Sequence, residues 1–105
     1  MDDASFDQAA RDELAAIEDA LADVDPDAID VSSSDGVLKL ELRDGTRVVI
    51  NAHRAARQIW MAAISSAWHF DPIDGGWRAA RTGELLRPTL ARLVADRIGL
   101  ALALS

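Results

Sequence analysis

Two hydrophobic periods in succession predict an α+β chain: a two-layer α/β sandwich, with N- and C-terminal helices packed on one face of an antiparallel five- to six-stranded sheet. Three observations carry this. Apolar residues recur every three or four positions over residues 6–24. Between residues 28 and 79 they alternate instead, with Asp-Gly turn signals in between. Helical spacing returns at Leu86. No repeat or linker breaks the order, so residues 1–105 are expected to form one domain.

In the first element, Phe6, Ala10, Leu14, Ile17, Leu21 and Val24 follow one another at intervals of 4, 4, 3, 4 and 3, a single helix stripe. Ser5 and Gln8 stand at capping-box spacing, and the early aspartates suit the positive end of a helix. Pro26 pushes its predecessor out of the α region, so the helix is expected over 4–24. "AIDVSS" reads as a short edge strand before the turn "SDG". Leu38, Leu40 and Leu42 then alternate with Lys39, Glu41 and Arg43, the pattern of a half-buried strand. "DGT" at 44–46 turns the chain into the return strand "RVVIN".

"AHRAAR" at 52–57 reads as a basic loop. In "QIWMAA", Gln58, Trp60 and Ala62 share one strand face, and Ile59 and Met61 the other. In "AWHF", Trp68 and Phe70 alternate with Ala67 and His69. "DPIDGG" is a turn and "WRAA" the last strand, with Trp77 expected to fill space between sheet and helices. Leu86, Leu90, Leu93, Val94 and Ile98 mark the closing helix. Pro88 would cost about 3 kcal/mol inside it but is tolerated in a first turn, so the start falls near 85–88. Gly99 is a suitable stop, and Leu100, Leu102 and Leu104 suggest an extended tail laid against the helices.

The net charge of −7 is unevenly distributed. Residues 1–35 hold twelve acids and one base, a charge of −11; residues 36–105 hold six acids and ten bases, +4. This imbalance points to cations or a basic protein surface as partner and away from nucleic acid. The absence of cysteine excludes disulfides, thiolate zinc sites and cysteine-held iron–sulfur clusters. No run of about 18 uncharged apolar residues is present, so no membrane helix is expected. The acidic start "MDDASFD" is unlike a secretory signal, and a cytoplasmic location is expected.

Acids crowd where the first helix should end: Glu18, Asp19, Asp23, Asp25, Asp27 and Asp30. Asp19 and Asp23 would be an i,i+4 like-charge pair, and acids at the negative end of the helix dipole cost roughly 0.3–1 kcal/mol each. A solvated polar face explains acids in general, but a helix without further task would carry Lys or Arg there. Asp23, Asp25 and Asp27 occupy the first, third and fifth places of a calcium-binding EF-hand loop, yet Ala28 replaces its glycine and Ser34 its bidentate glutamate. A caged calcium site is therefore excluded. An open carboxylate strip suits a hard, hydrated cation held by one or two residues plus water.

On the strand face away from Ile59 and Met61, Trp60 is either a recognition anchor or a large ring packed on its strand neighbours, and His69 should join it as a surface donor. Ser65 and Ser66 have no His–Asp arrangement beside them, and "GG" at 75–76 is a turn and not a phosphate cradle.

Taken together, "IEDALADVDPD", "GVLKLEL-DGTRVVIN", "RQIWMAA", "WHFD" and "W-AARTGELL" resemble the frataxin family in its bacterial form, over nearly the whole chain. The resemblance implies the helix–sheet sandwich and a non-enzymatic role in iron–sulfur cluster assembly. It implies weak binding of Fe2+ or Fe3+ on an acidic ridge matching Glu18, Asp19, Asp23, Asp25, Asp27 and Asp30, with no cluster held by the protein itself. It also implies contacts with the cysteine desulfurase and the scaffold protein, the ridge docking on a basic patch of the desulfurase and a sheet surface matching Asn51, Gln58, Trp60 and His69 meeting a second partner. A monomer able to oligomerise with iron is expected. The chain departs from the family in Ala22, where bacterial relatives often have an acid, in "NAHRAAR", which lacks the usual proline and Gln after the Asn, in "SSAW" and in Pro88. The alternatives are iron oxidation or storage at the ridge, with Asp19 and Asp23 as the minimal pair for a ferroxidase, and a purely protein-binding acidic module.

Overall fold

The computed structural model describes residues 1–104. Helix α1 (Asp3–Leu21) is followed by β1 (Ile29–Ser34), β2 (Val37–Leu42), β3 (Arg47–His53), a 3-10 turn (Arg54–Ala56), β4 (Gln58–Ala63), β5 (Ser66–Ile73), β6 (Gly76–Ala79) and α2 (Leu86–Ile98). The strands form one antiparallel sheet in sequence order, β1 to β6, so the expected meander has six strands.

Alternation decides which side of the sheet is core. Leu38, Leu40, Leu42, Val48, Ile50, Ile59, Met61 and Phe70 are buried on one face, and the helices cover that face with Phe6, Ile17, Leu21, Leu86, Leu90 and Val94. Burying each such side chain contributes about 1.5–3 kcal/mol, which makes this face the main source of stability. Trp77 stands edge-on to Phe6, with ring centroids 5.9 Å apart, and fills the space between sheet and α1 as expected. Leu100, Leu102 and Leu104 of the tail pack against the core.

Both ends of α1 differ from the expectation. The cap is Asp2, whose carboxylate accepts the Ser5 N–H at 2.8 Å; Gln8 makes no capping box and instead donates to Asp12. The helix stops at Leu21, three residues before Val24, because the chain must fold back to pair Ile29 with Leu42. The Ala22 N–H tightens onto the Asp19 carbonyl, and Asp25–Pro26–Asp27 forms the turn, where the Asp25 carboxylate accepts the Asp27 N–H. Val24 still packs on the core from outside the helix, which is why it fitted the stripe.

In α2, Pro88 lies in the first turn, where its missing N–H costs no bond, and Gly99 closes the helix in a left-handed conformation (φ 68°). Glu13 joins the two helices from inside the layer. It is only 7% exposed and accepts both Nε–H and Nη2–H of Arg87 at 2.9 and 2.8 Å. The Glu13 hydrogen bonds raise the pKa of the Arg87 guanidinium further above its ordinary value.

Candidate functional site

Two surfaces carry the residues singled out by the sequence. On the first, Glu18 and Asp19 lie in the last turns of α1, Asp23, Asp25 and Asp27 in the turn that follows, and Asp30 on β1. All six are exposed. Glu18 leans over the sheet edge and accepts the Ser33 hydroxyl at 3.1 Å. Asp30 takes the other face of β1, since Ile29 and Val31 point inward. Asp19 and Asp23 do not share a helix, because Asp23 lies beyond the Ala22 cap; the expected i,i+4 repulsion becomes repulsion across a helix end.

Bases approach the ridge at its two ends, Arg11 and Arg54 lining one cavity with Glu18 and Lys39 and Arg47 another with Asp30, but none forms an ion pair with it among the described residues. The last turn of α1 has no base. Among the described residues, none of the six acids forms an ion pair, whereas Asp3, Asp7 and Glu13 of the same helix pair with Arg57, Arg54 and Arg87. No three His, Asp or Glu side chains among the described residues converge tightly enough to enclose a metal. The ridge can therefore hold a cation only through one or two carboxylates and water, a mode that hard, hydrated ions accept.

The second surface is the sheet face away from the helices. Register places Ser34, Val37, Asn51, Trp60 and His69 in one row across β1 to β5. The neighbouring pair is His53 and Gln58. Trp60 lies outside the core, as expected, but does not project freely. Its indole is stacked between His53 (centroids 3.8 Å, rings 11° apart) and His69 (4.2 Å, 13°). Its Nε1–H donates to Gln58 Oε1 at 2.8 Å, and Gln58 Nε2 donates to Asp71 at 2.9 Å. Trp60 is thus on the outer face and packed on its strand neighbours.

The sequence places His53 in a loop, because "RVVIN" ends the expected strand at Asn51. The strand continues through Ala52 and His53, and only residues 54–57 turn, with Arg57 left-handed (φ 51°) at the end of the 3-10 segment. The signal was available: Val49, Asn51 and His53 keep the two-residue period of one face. His53 Nδ1 is buried without a hydrogen-bond partner, a state that costs about 1–3 kcal/mol. His69 is consequently one end of a three-ring stack and not a lone surface donor.

A family model described as "Frataxin-like domain" matches residues 1–100. The chain belongs to the frataxin family. Within the family it is 36% identical over 99 residues to the iron–sulfur cluster assembly protein CyaY of Paraburkholderia phymatum, covering 94% of this chain and 93% of that one. It is 38% identical over 98 residues to the protein of the same name from Vibrio cholerae, covering 92% and 91%. The frataxin of Psychromonas ingrahamii has the same fold, with a TM-score of 0.93, 23% identity and coverage of 100% and 99%. The trimeric frataxin of the yeast Saccharomyces cerevisiae, complexed with ferrous iron, superposes with a TM-score of 0.70 at 31% identity, covering 95% of this chain and 88% of that one. The two helices on an open six-stranded antiparallel sheet are those of the frataxin fold.

Proposed function

We propose that this frataxin-family chain works in iron–sulfur cluster assembly as a non-enzymatic, cytoplasmic adaptor. Fe2+ or Fe3+ is its loosely held cargo on the ridge of Glu18, Asp19, Asp23, Asp25, Asp27 and Asp30. The ridge also docks on a basic patch of the cysteine desulfurase, and the face of Asn51, Gln58, Trp60 and His69 meets the scaffold protein. The observation that carries this reading is the unneutralised ridge: six exposed acids without an ion pair among the described residues, beside a helix end that already carries partial negative charge. The curated relatives' name and the ferrous complex of yeast frataxin support iron–sulfur assembly and iron as the chemistry concerned.

A second reading has an observation in its favour. No three ligands converge among the described residues, which suits acids that serve protein contact alone. Ferroxidase chemistry has less support, because it needs carboxylates bridging two irons and Asp19 and Asp23 are separated by the helix end.

The deciding experiment measures binding to the desulfurase–scaffold complex with and without iron, for wild type and for Glu18→Gln/Asp19→Asn/Asp23→Asn/Asp25→Asn. Loss of both iron uptake and docking is the expected outcome. Docking that falls steeply with salt but ignores iron selects the second reading. If uptake and docking both survive, the ridge has neither role.

A further inference from the structure

The three-ring stack carries an inference that rests on the docking reading of the outer face. Trp60 has both indole faces covered by imidazoles, at 3.8 and 4.2 Å, and its N–H is held by Gln58, which is itself held by Asp71. Only the outward edge of the indole is left to a partner. The stack crosses β3, β4 and β5, so strand spacing sets the ring spacing and the arrangement is as rigid as the sheet.

Stability alone does not account for histidine at position 53. Its Nδ1 is buried and unpaired, and a phenyl ring would stack on the indole without that unsatisfied nitrogen. Docking benefits in a different way. A side chain ordered in advance loses no rotamer freedom when the partner arrives, and aromatic anchors at interface centres are where this counts most.

We propose that His53 and His69 are positioning residues that clamp the Trp60 indole before docking, so that the partner meets three parallel ring edges already in place. The partner concerned is the scaffold protein of the docking reading.

The test is the affinity of the desulfurase–scaffold complex for Trp60→Ala, His53→Ala, His53→Phe and His69→Ala. The order parameter of the Trp60 indole N–H is measured by NMR in the free proteins that retain the indole, and the melting temperature in all. Trp60→Ala is expected to weaken binding most. His53→Ala and His69→Ala should each weaken it about 3- to 10-fold while loosening the indole, the size of one newly mobile side chain. His53→Phe should restore affinity and indole order at an equal or higher melting temperature. If Trp60→Ala weakens binding and the histidine variants do not, the clamp is refuted and the docking reading stands. If His53→Phe folds but fails to restore affinity, stacking is not the operative contact and the clamp is likewise refuted. If Trp60→Ala itself binds like wild type, the docking reading falls and the clamp's role in docking falls with it.

Discussion

The first half of α1, through Glu13, carries four acids and Arg11, the second half Glu18 and Asp19, and the two are opposite in circumstance. In the first half, Asp3, Asp7 and Glu13 each find an arginine, from the β3–β4 turn or from α2. In the second half, Glu18 and Asp19, with the turn residues that follow, find none. Tertiary structure neutralises the half where acids are already favoured by the helix dipole and leaves bare the half where they are disfavoured. An arrangement selected for stability alone would do the reverse, and the proposed role of the ridge rests on that contrast.

The largest expected effect comes from breaking the pairing in the first half. Arg87→Met strands the nearly buried Glu13 carboxylate and should cost roughly 2–4 kcal/mol in chemical denaturation, somewhat less than for a fully buried pair because Arg87 is partly exposed. The double variant Glu13→Leu/Arg87→Met should recover most of that loss, since a buried pair exchanged for apolar side chains is often neutral. A double variant as unstable as the single one would mean that packing, and not the stranded charge, is at stake.

The second half should respond in the opposite direction. Neutralising Glu18, Asp19, Asp23 and Asp25 together should raise stability by a few tenths of a kcal/mol per acid at low ionic strength, and the gain should vanish in molar salt. Millimolar divalent or trivalent cations should raise the melting temperature of the wild type and not of this variant, because they bind the folded ridge better than the unfolded chain. An equal shift in both proteins would locate the cations elsewhere.

Much of this contrast, and of the fold, is legible before the structure is known. The alternation of Leu38, Leu40 and Leu42 and the "DGT" turn place the central hairpin, because a buried face forces the register. The ridge residues are visible as a cluster. Their isolation is not, since it depends on where arginines paired with acids 47 to 74 positions away come to rest. The end of α1 was misplaced because Val24 satisfies the helical period and packs on the core from the turn. His53 was missed for a related reason: "AHRAAR" has loop composition, and strand pairing with Gln58 overrides it. Its stacking on Trp60 is a relation between strands that one-dimensional spacing does not record.

Smaller effects separate the two exposed pairs of the first half. Arg54→Ala and Arg57→Ala should cost only about 0.2–1 kcal/mol each, fading with added salt, because both partners of each pair reach solvent. A salt-insensitive loss from Arg57→Ala would instead point to packing lost with the arginine stem, since Arg and Ala meet the same penalty in the left-handed conformation held there.

The smallest expected effect concerns the start of the helix and appears only in acid. The Ser5 N–H bonded to the Asp2 carboxylate holds its pKa below the ordinary value, and the Thr46 N–H does the same for Asp44. A carboxylate whose folded pKa is depressed binds protons more readily in the unfolded chain. Its contribution is therefore complete above the unfolded pKa and is lost as pH falls through the folded one. Asp2→Asn keeps an equally good cap at neutral pH, because an amide oxygen accepts the same N–H. Its melting temperature should match the wild type near pH 7 and decline less steeply below about pH 4, where the wild-type cap becomes protonated. A parallel acid decline in the two proteins would assign the acid sensitivity to other carboxylates, Asp44 and the Arg92-paired Glu84 first among them.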